Sequence, residues 1–227
     1  MNKDLLYKCL NNYLSNITNE TNDLDERLKR ENYYKSYTED KIISMNEEEF
    51  YEYISKLWAM VVWGNKHYIV DKYIKDNDFE SLKKSIAHLL YGSDPIEVRW
   101  DTFKEKIKGF GPAMMSELLC YINPDEYMIW NSTALNAYKN LGIKDVPLHN
   151  YQLTGKKYIE LTQYSKEIQK IIFEKYNKKE NLLFVDYFFW DSLRNLEPIE
   201  EEKNKETVVN NKSYHNEIVD YIKSIGS

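Results

Sequence analysis

Apolar positions recur at helical spacing along nearly the whole chain. Leu6, Cys9, Leu10, Tyr13, Leu14 and Ile17 fall on one helical face. Asn19 to Arg30 is polar and reads as a loop or a solvated helix. Ser44-Met45-Asn46-Glu47 reads as a capping box. The helix it opens carries Phe50, Ile54, Leu57, Trp58, Val61 and Val62 on one face, and Gly64-Asn65 closes it. A short helix follows to Lys75. Asp78 is an N-cap for Phe79 to Tyr91, with Leu82, Ile86, Leu89 and Leu90 inward and Gly92 as the stop.

Asp94-Pro95-Ile96-Glu97 starts the next helix with proline at its first position. Val98, Phe103 and Ile107 mark its buried side. Ala113 to Ile122 forms another helix, ended by Asn123-Pro124, and Met128-Ile129-Trp130 is a short apolar connection. Asn131 caps a helix that runs to Leu141-Gly142. Thr154 begins a long helix to Tyr176. Leu182 to Leu193 is a last core helix holding five aromatic residues. No alternating pattern calls for a sheet, so the expected class is all-α with nine to eleven helices.

Between two of these helices stands Ile107-Lys108-Gly109-Phe110-Gly111-Pro112-Ala113. Two glycines one residue apart between helical segments are how a tight helix-hairpin-helix turn is written. Glycine permits positive φ and close backbone approach. The second helix starts with free N–H groups, which can hold an anion such as a DNA phosphate. Lys108, beside the turn, is the best phosphate contact of the local lysines, because Lys104 and Lys106 scatter around their helix.

Composition sharpens this picture in places. The apolar share of 42% supports a real core, and 7 Gly and 5 Pro argue against a loop-rich chain. Twenty Tyr and five Trp can fill a core or stack on bases. Net charge is −6, which speaks against a protein that simply coats DNA. The charge is uneven. Glu197 to Glu206 holds five acids and two lysines, whereas Arg99 to Pro112 holds four bases and two acids. Cys9 and Cys120 sit in apolar helical patterns and read as reduced, buried thiols. Neither the cysteines nor the four histidines form a metal-ligand pattern, so no metal or cofactor is expected. The absence of a signal-peptide core and of a spanning apolar run points to a cytoplasmic protein without a membrane partner.

Domain organisation is read as a helical domain over 1–196, an acidic linker over 197–212, and a C-terminal amphipathic helix over 213–227. That last helix carries Tyr214, Ile218, Tyr221, Ile222 and Ile225.

Ile107 to Ile143 resembles the core of the helix-hairpin-helix DNA glycosylase superfamily, the endonuclease III and 8-oxoguanine glycosylase type. Members read Gly-x-Gly hairpin, helix, short apolar connection, then an Asp at the start of the next helix. Twenty residues after Gly111 stands Asn131, followed by Ser132 and Thr133. The resemblance implies a helical bundle of two lobes around a cleft. It implies base flipping followed by cleavage of an N-glycosidic bond. Ala113 stands where bifunctional members carry a nucleophilic lysine, so the expected chemistry is monofunctional hydrolysis.

A second set of segments resembles modules found alone or fused to modification-dependent restriction ATPases. It comprises Trp58-Ala59, Trp63-Gly64-Asn65-Lys66, Leu89-Leu90-Tyr91-Gly92, the hairpin, Trp130-Asn131 and Val185-Asp186-Tyr187-Phe188-Phe189-Trp190. It implies recognition of modified DNA in phage defence, with a hypermodified cytosine such as glucosylated hydroxymethylcytosine as the specific expectation.

Asn131 is first of all an N-cap, and it is also a candidate to orient water. Asp186, a lone carboxylate in the apolar run Leu182 to Trp190, is its rival for catalysis, with Asp191 a weaker one. Lys108, Gly109, Phe110, Gly111 and Ala113 are the candidate DNA contacts. Trp130, Tyr187 and Trp190 are the candidate base pocket. Double-stranded DNA carrying a modified base is the expected partner. A non-catalytic reader acting with a partner nuclease is the alternative, and an interaction protein without a nucleic-acid role is the third reading.

Overall fold

The computed structural model describes residues 1–16, 22–194 and 196. Ile17, the acidic segment 197–212 and the apolar pattern of 213–227 lie outside the described residues. Among the described residues every regular element is helical and none is a strand. The helices are α1 (Lys3–Asn16), α2 (Asn22–Lys35), α3 (Glu39–Ser44), α4 (Glu47–Ser55), α5 (Lys66–Asn77) and α6 (Phe79–Tyr91). They continue with α7 (Ile96–Lys106), α8 (Pro112–Ile122), α9 (Ser132–Asn140), α10 (Gly155–Tyr176) and α11 (Leu182–Phe188). Short 3-10 turns lie at Trp58–Met60 and Asn150–Gln152, and a π-helical turn, Phe189–Leu193, continues α11.

Helix α8 is the axis of the core. Apart from Ser116 and Glu117 its sequence is apolar, on every face of the helix, and a helix of that kind is buried on every side. Pro112 and Met114 to Tyr121 are all buried. It packs against α2, α6, α11 and the turn Trp58–Met60.

Helix α7 reaches α10 by a close approach. A Cβ on Gly155 would meet the Glu97 carbonyl oxygen at 2.3 Å, so only glycine fits there. Trp100 stacks on Tyr158 with ring centroids 4.3 Å apart, and its Nε1 donates to the Leu153 carbonyl. This packing turns α7 so that Ile96, Trp100 and Phe103 face inward while Val98, expected inside, is exposed.

Two further expectations are corrected. The capping box is formed by Asn46 and Glu49, which exchange side chain-to-backbone bonds of 2.9 and 3.0 Å. Ser44 instead ends α3. The helix that Asn46 opens stops at Ser55 and does not run on through Val62. Leu57 remains in the core, but Val61 is exposed and Val62 is 82% exposed. The cause is a carboxylate on α8 that takes the Trp58 and Ala59 amides out of any continuing helix. The polar stretch before Lys35 is the helix α2.

Candidate functional site

The hairpin joins α7 to α8 through 107–111. Gly109 adopts φ +80°, and a Cβ there would lie 3.1 Å from the Tyr73 ring. Asn77 holds the turn from outside. Its Nδ2 donates to the Lys108 carbonyl at 3.0 Å, and its Oδ1 accepts the Lys108 amide at 2.6 Å. The Lys108 amide is therefore occupied, while its side chain is exposed. Phe110, expected as a DNA contact, is buried against Tyr73 and Phe103, because the turn anchors itself in the core through that ring. Gly111 is the N-cap of α8, at φ −84° and with open space where a Cβ would stand. No described residue accepts from the Gly109, Gly111 or Ala113 amides. The Gly111 and Ala113 amides are orphan donors of a helix start, and the Gly109 amide lies in the turn before it.

From this start, Ala113, Glu117 and Tyr121 follow at intervals of four and share one face of α8. All three line a cavity of about 330 Å³, near the lower end of the about 300–1,000 Å³ usual for ligand pockets. Asn131, Ser132, Thr133 and Ile129 form a second wall. Trp58, Ala59 and Val62 form a third, and Arg27, Asp186, Trp190 and Asn150 complete it.

Ser116 sets the second wall. Its Oγ accepts the Trp130 amide at 2.8 Å and donates to the Trp130 carbonyl at 3.2 Å. This fixes the chain at Trp130 against α8 and delivers Asn131 to the cavity. Asn131 Oδ1 accepts the Ala134 amide at 2.9 Å as the N-cap of α9. No described residue accepts from its Nδ2, which is left for a ligand or water.

Trp130 does not line the cavity. Its side chain is fully buried and packs towards Tyr138, because the two Ser116 bonds turn it into the core. Tyr187 is also buried and stands behind the wall, stacked on Trp190 with centroids 5.8 Å apart. Of the three aromatic residues expected to shape a pocket, Trp190 alone is in the lining. It belongs to the π-helical turn, an irregularity that recurs at functional sites. Arg194 lies 4.1 Å over the Trp190 ring.

Asp186 is 6% exposed and pairs through Oδ2 with Arg27 Nη1 of α2. Arg27 also lies 5.1 Å over the Tyr187 ring. Asp186 Oδ1 and Asn150 Oδ1 are buried and have no hydrogen-bond partner among the described residues. Asp191 is exposed and outside this wall.

Glu117 was missed in the sequence reading. It is 2% exposed, and its Oε1 and Oε2 accept the Trp58 and Ala59 amides at 2.5 and 2.9 Å. Burial pushes its pKa up to about 7, against the lowering effect of those two amides, the Tyr121 hydroxyl and Arg30. A carboxyl poised there can hold or release a proton near neutral pH. The signal was present, since Glu117 is the single charged residue between Met114 and Ile122.

Among the described residues no cluster of His, Cys, Asp and Glu could hold a metal ion. No helix of the described residues is long and apolar enough to cross a membrane. Cys9 and Cys120 are buried free thiols. No family model, curated protein or solved structure matches the chain.

Proposed function

We propose that this protein is a monofunctional DNA glycosylase of the helix-hairpin-helix kind. In this reading it binds duplex DNA through the hairpin and takes a flipped, modified base into the cavity. The single observation that carries the reading is the shared cavity. One pocket beside the hairpin gathers Ala113, Asn131, Asp186 and a protonatable Glu117, although they come from three separate parts of the chain.

The chemistry divides among these residues. The free amides of Gly109, Gly111 and Ala113 hold a backbone phosphate. Cleavage breaks the bond between C1′ and the base nitrogen, and the bonding pair leaves with the base. Glu117 in its protonated form supplies the proton that the leaving base takes up. A water held by Asn131 Nδ2 adds its oxygen to C1′ and returns a proton to Glu117. Trp58 and Trp190 offer aromatic surface to the flipped base. Ala113 provides no amine, so no Schiff base forms.

The second reading, a reader that delivers a modified base to a partner nuclease, is favoured by one feature. Both Glu117 oxygens already accept backbone amides, which suits a structural carboxylate.

An abasic-site assay separates the two. The full chain is incubated with unmodified duplex, with duplexes carrying methylated or damaged bases, and with phage DNA containing glucosylated hydroxymethylcytosine. Alkali then reveals base loss. The glycosylase reading expects base loss on one substrate, abolished by Glu117→Gln while Gly111→Ala weakens binding. Binding without base loss makes the protein a reader. Absence of both overturns both readings.

A further inference from the structure

A second concavity shares a wall with the cavity. Leu57 and Val61 line this groove, whereas Trp58, Ala59 and Val62 line the cavity, so the segment 57–62 parts the two. The groove has a volume of about 480 Å³, and α2 contributes Lys29, Arg30 and Tyr33 to it.

Its charge runs against that of the chain. Four cationic side chains, Lys29, Arg30, Lys56 and Lys66, and one carboxylate, Glu26, line the groove, a net of +3 in a chain of net −6. Glu26 pairs with Arg30, and Glu52, from outside the lining, pairs with Lys56. Lys29 and Lys66 have no carboxylate partner among the described residues. Two of the cations are held by the C-terminal end of α4. Arg30 Nη1 donates to the Lys56 carbonyl at 3.0 Å, and Lys66 Nζ donates to the Ser55 carbonyl at 2.9 Å. An ammonium carries three donors, so Lys66 keeps two for a ligand and the exposed Lys29 keeps all three. Arg30 is spent, since Glu26 takes Nη2 and the guanidinium lies 4.4 Å over the Trp58 ring. The groove therefore offers ammonium groups without a free guanidinium fork. Point charges of this kind suit a phosphate, whereas the fork that matches a carboxylate in a bidentate pair is engaged elsewhere.

We infer that this groove holds a backbone phosphate of DNA, at a contact separate from the hairpin. A concave site admits a phosphate group of a strand and does not admit the plane of a membrane. The partition beside it also exposes Val61, Val62 and Trp63. An aromatic ring next to a cationic groove is the arrangement that binds a polynucleotide through base stacking and backbone charge together. The inference rests on the DNA reading proposed above and adds a second hold on the nucleic acid. The hairpin amides grip beside one wall of the cavity, and the groove grips behind another.

The test is the salt dependence of DNA binding by the full chain. A labelled duplex is titrated by fluorescence anisotropy at several salt concentrations. Each phosphate contact contributes about 0.9 to the slope of log affinity against log salt. Lys29→Gln combined with Lys66→Gln, checked for folding by circular dichroism, is expected to make the slope shallower by about 1 and to weaken binding about tenfold at about 0.1 M salt. Lys29→Gln alone breaks no bond among the described residues and is expected to move the slope in the same direction. Lys170→Gln combined with Lys179→Gln removes the same charge from residues that line neither the groove nor the cavity, and is expected to leave the slope near that of the parent. Equal slopes for the two double variants overturn the inference. Sedimentation with phosphatidylserine vesicles that the groove substitutions abolish, with the DNA slope unchanged, assigns the groove to a membrane and also overturns it. The expected change of slope without base loss in the abasic-site assay sinks the catalytic reading alone. Base loss with an unchanged slope sinks this inference alone, and no DNA binding by the parent sinks both.

Discussion

Arg27 and Asp186 stand 159 positions apart and meet as an ion pair in the wall of one cavity. Neither is exposed enough for water to replace the other. Removing one partner leaves an uncompensated charge, a change that destabilises by about 3–5 kcal/mol. Asp186→Ala is expected to lose stability on that scale in urea unfolding. The double variant Arg27→Ala with Asp186→Ala is expected to lose less than the sum of the two singles. Strict additivity would mean that the pair contributes nothing as a pair.

The two hairpin glycines are expected to respond differently. Gly109 needs positive φ and faces the Tyr73 ring, so Gly109→Ala should destabilise by about 1–3 kcal/mol. Gly111 has ordinary backbone geometry and open space, so Gly111→Ala should fold normally. Its new methyl group would stand at the start of α8, where a phosphate approaches. Thermal melting and a DNA titration of the two variants check this. A Gly111→Ala protein that melts early, or that binds DNA as the parent does, contradicts the assignment.

Glu117 makes stability depend on pH with a definite sign. Its carboxyl has a pKa of about 7 in the folded chain, against 4.5 ordinarily. Between those values the unfolded chain has released the proton and the folded chain keeps it. Stability therefore falls as pH rises from 4.5 to 7 and levels off above, for a loss on the order of 3 kcal/mol. Urea unfolding at pH 5 and pH 8 measures it. Glu117→Gln should lose this slope whatever its absolute stability. A slope that survives the substitution belongs to another group.

Trp130 and Trp190 are separated by burial. Trp130 is wholly enclosed, so Trp130→Ala should be destabilising by about 3–5 kcal/mol. Trp190 stands at the cavity wall, stacked on Tyr187 and with Arg194 over its ring. Trp190→Ala should be much milder in denaturant and should weaken base binding. Comparable losses of stability from the two would make Trp190 a core residue and remove it from the site.

Much of the local architecture was legible along the chain. Asp78 and Asn131 cap the helices they were expected to cap, and Thr154 caps the one it was expected to begin, because a short side chain followed by a free amide is a local event. The apolar run after Gly111 announced a buried helix. Val98 and Val61–Val62 were misplaced because a partner elsewhere decided the outcome. Trp100 stacks on Tyr158, and Glu117 accepts the Trp58 and Ala59 amides. Nothing within a dozen residues of Val62 records that.

The candidate site divides in the same way. The sequence by itself determined that the described elements are all helical, a Gly-x-Gly turn before an apolar helix, and Asn131 at the head of the next one. Those features depend on residue type and short spacing. Only the tertiary structure decided that Ala113, Asn131 and Asp186 share a cavity, that Glu117 joins them, and that Trp130 and Phe110 belong to the core. Burial and ion pairing are properties of what surrounds a side chain, and for Asp186 the decisive neighbour is Arg27 on α2, at the other end of the described chain.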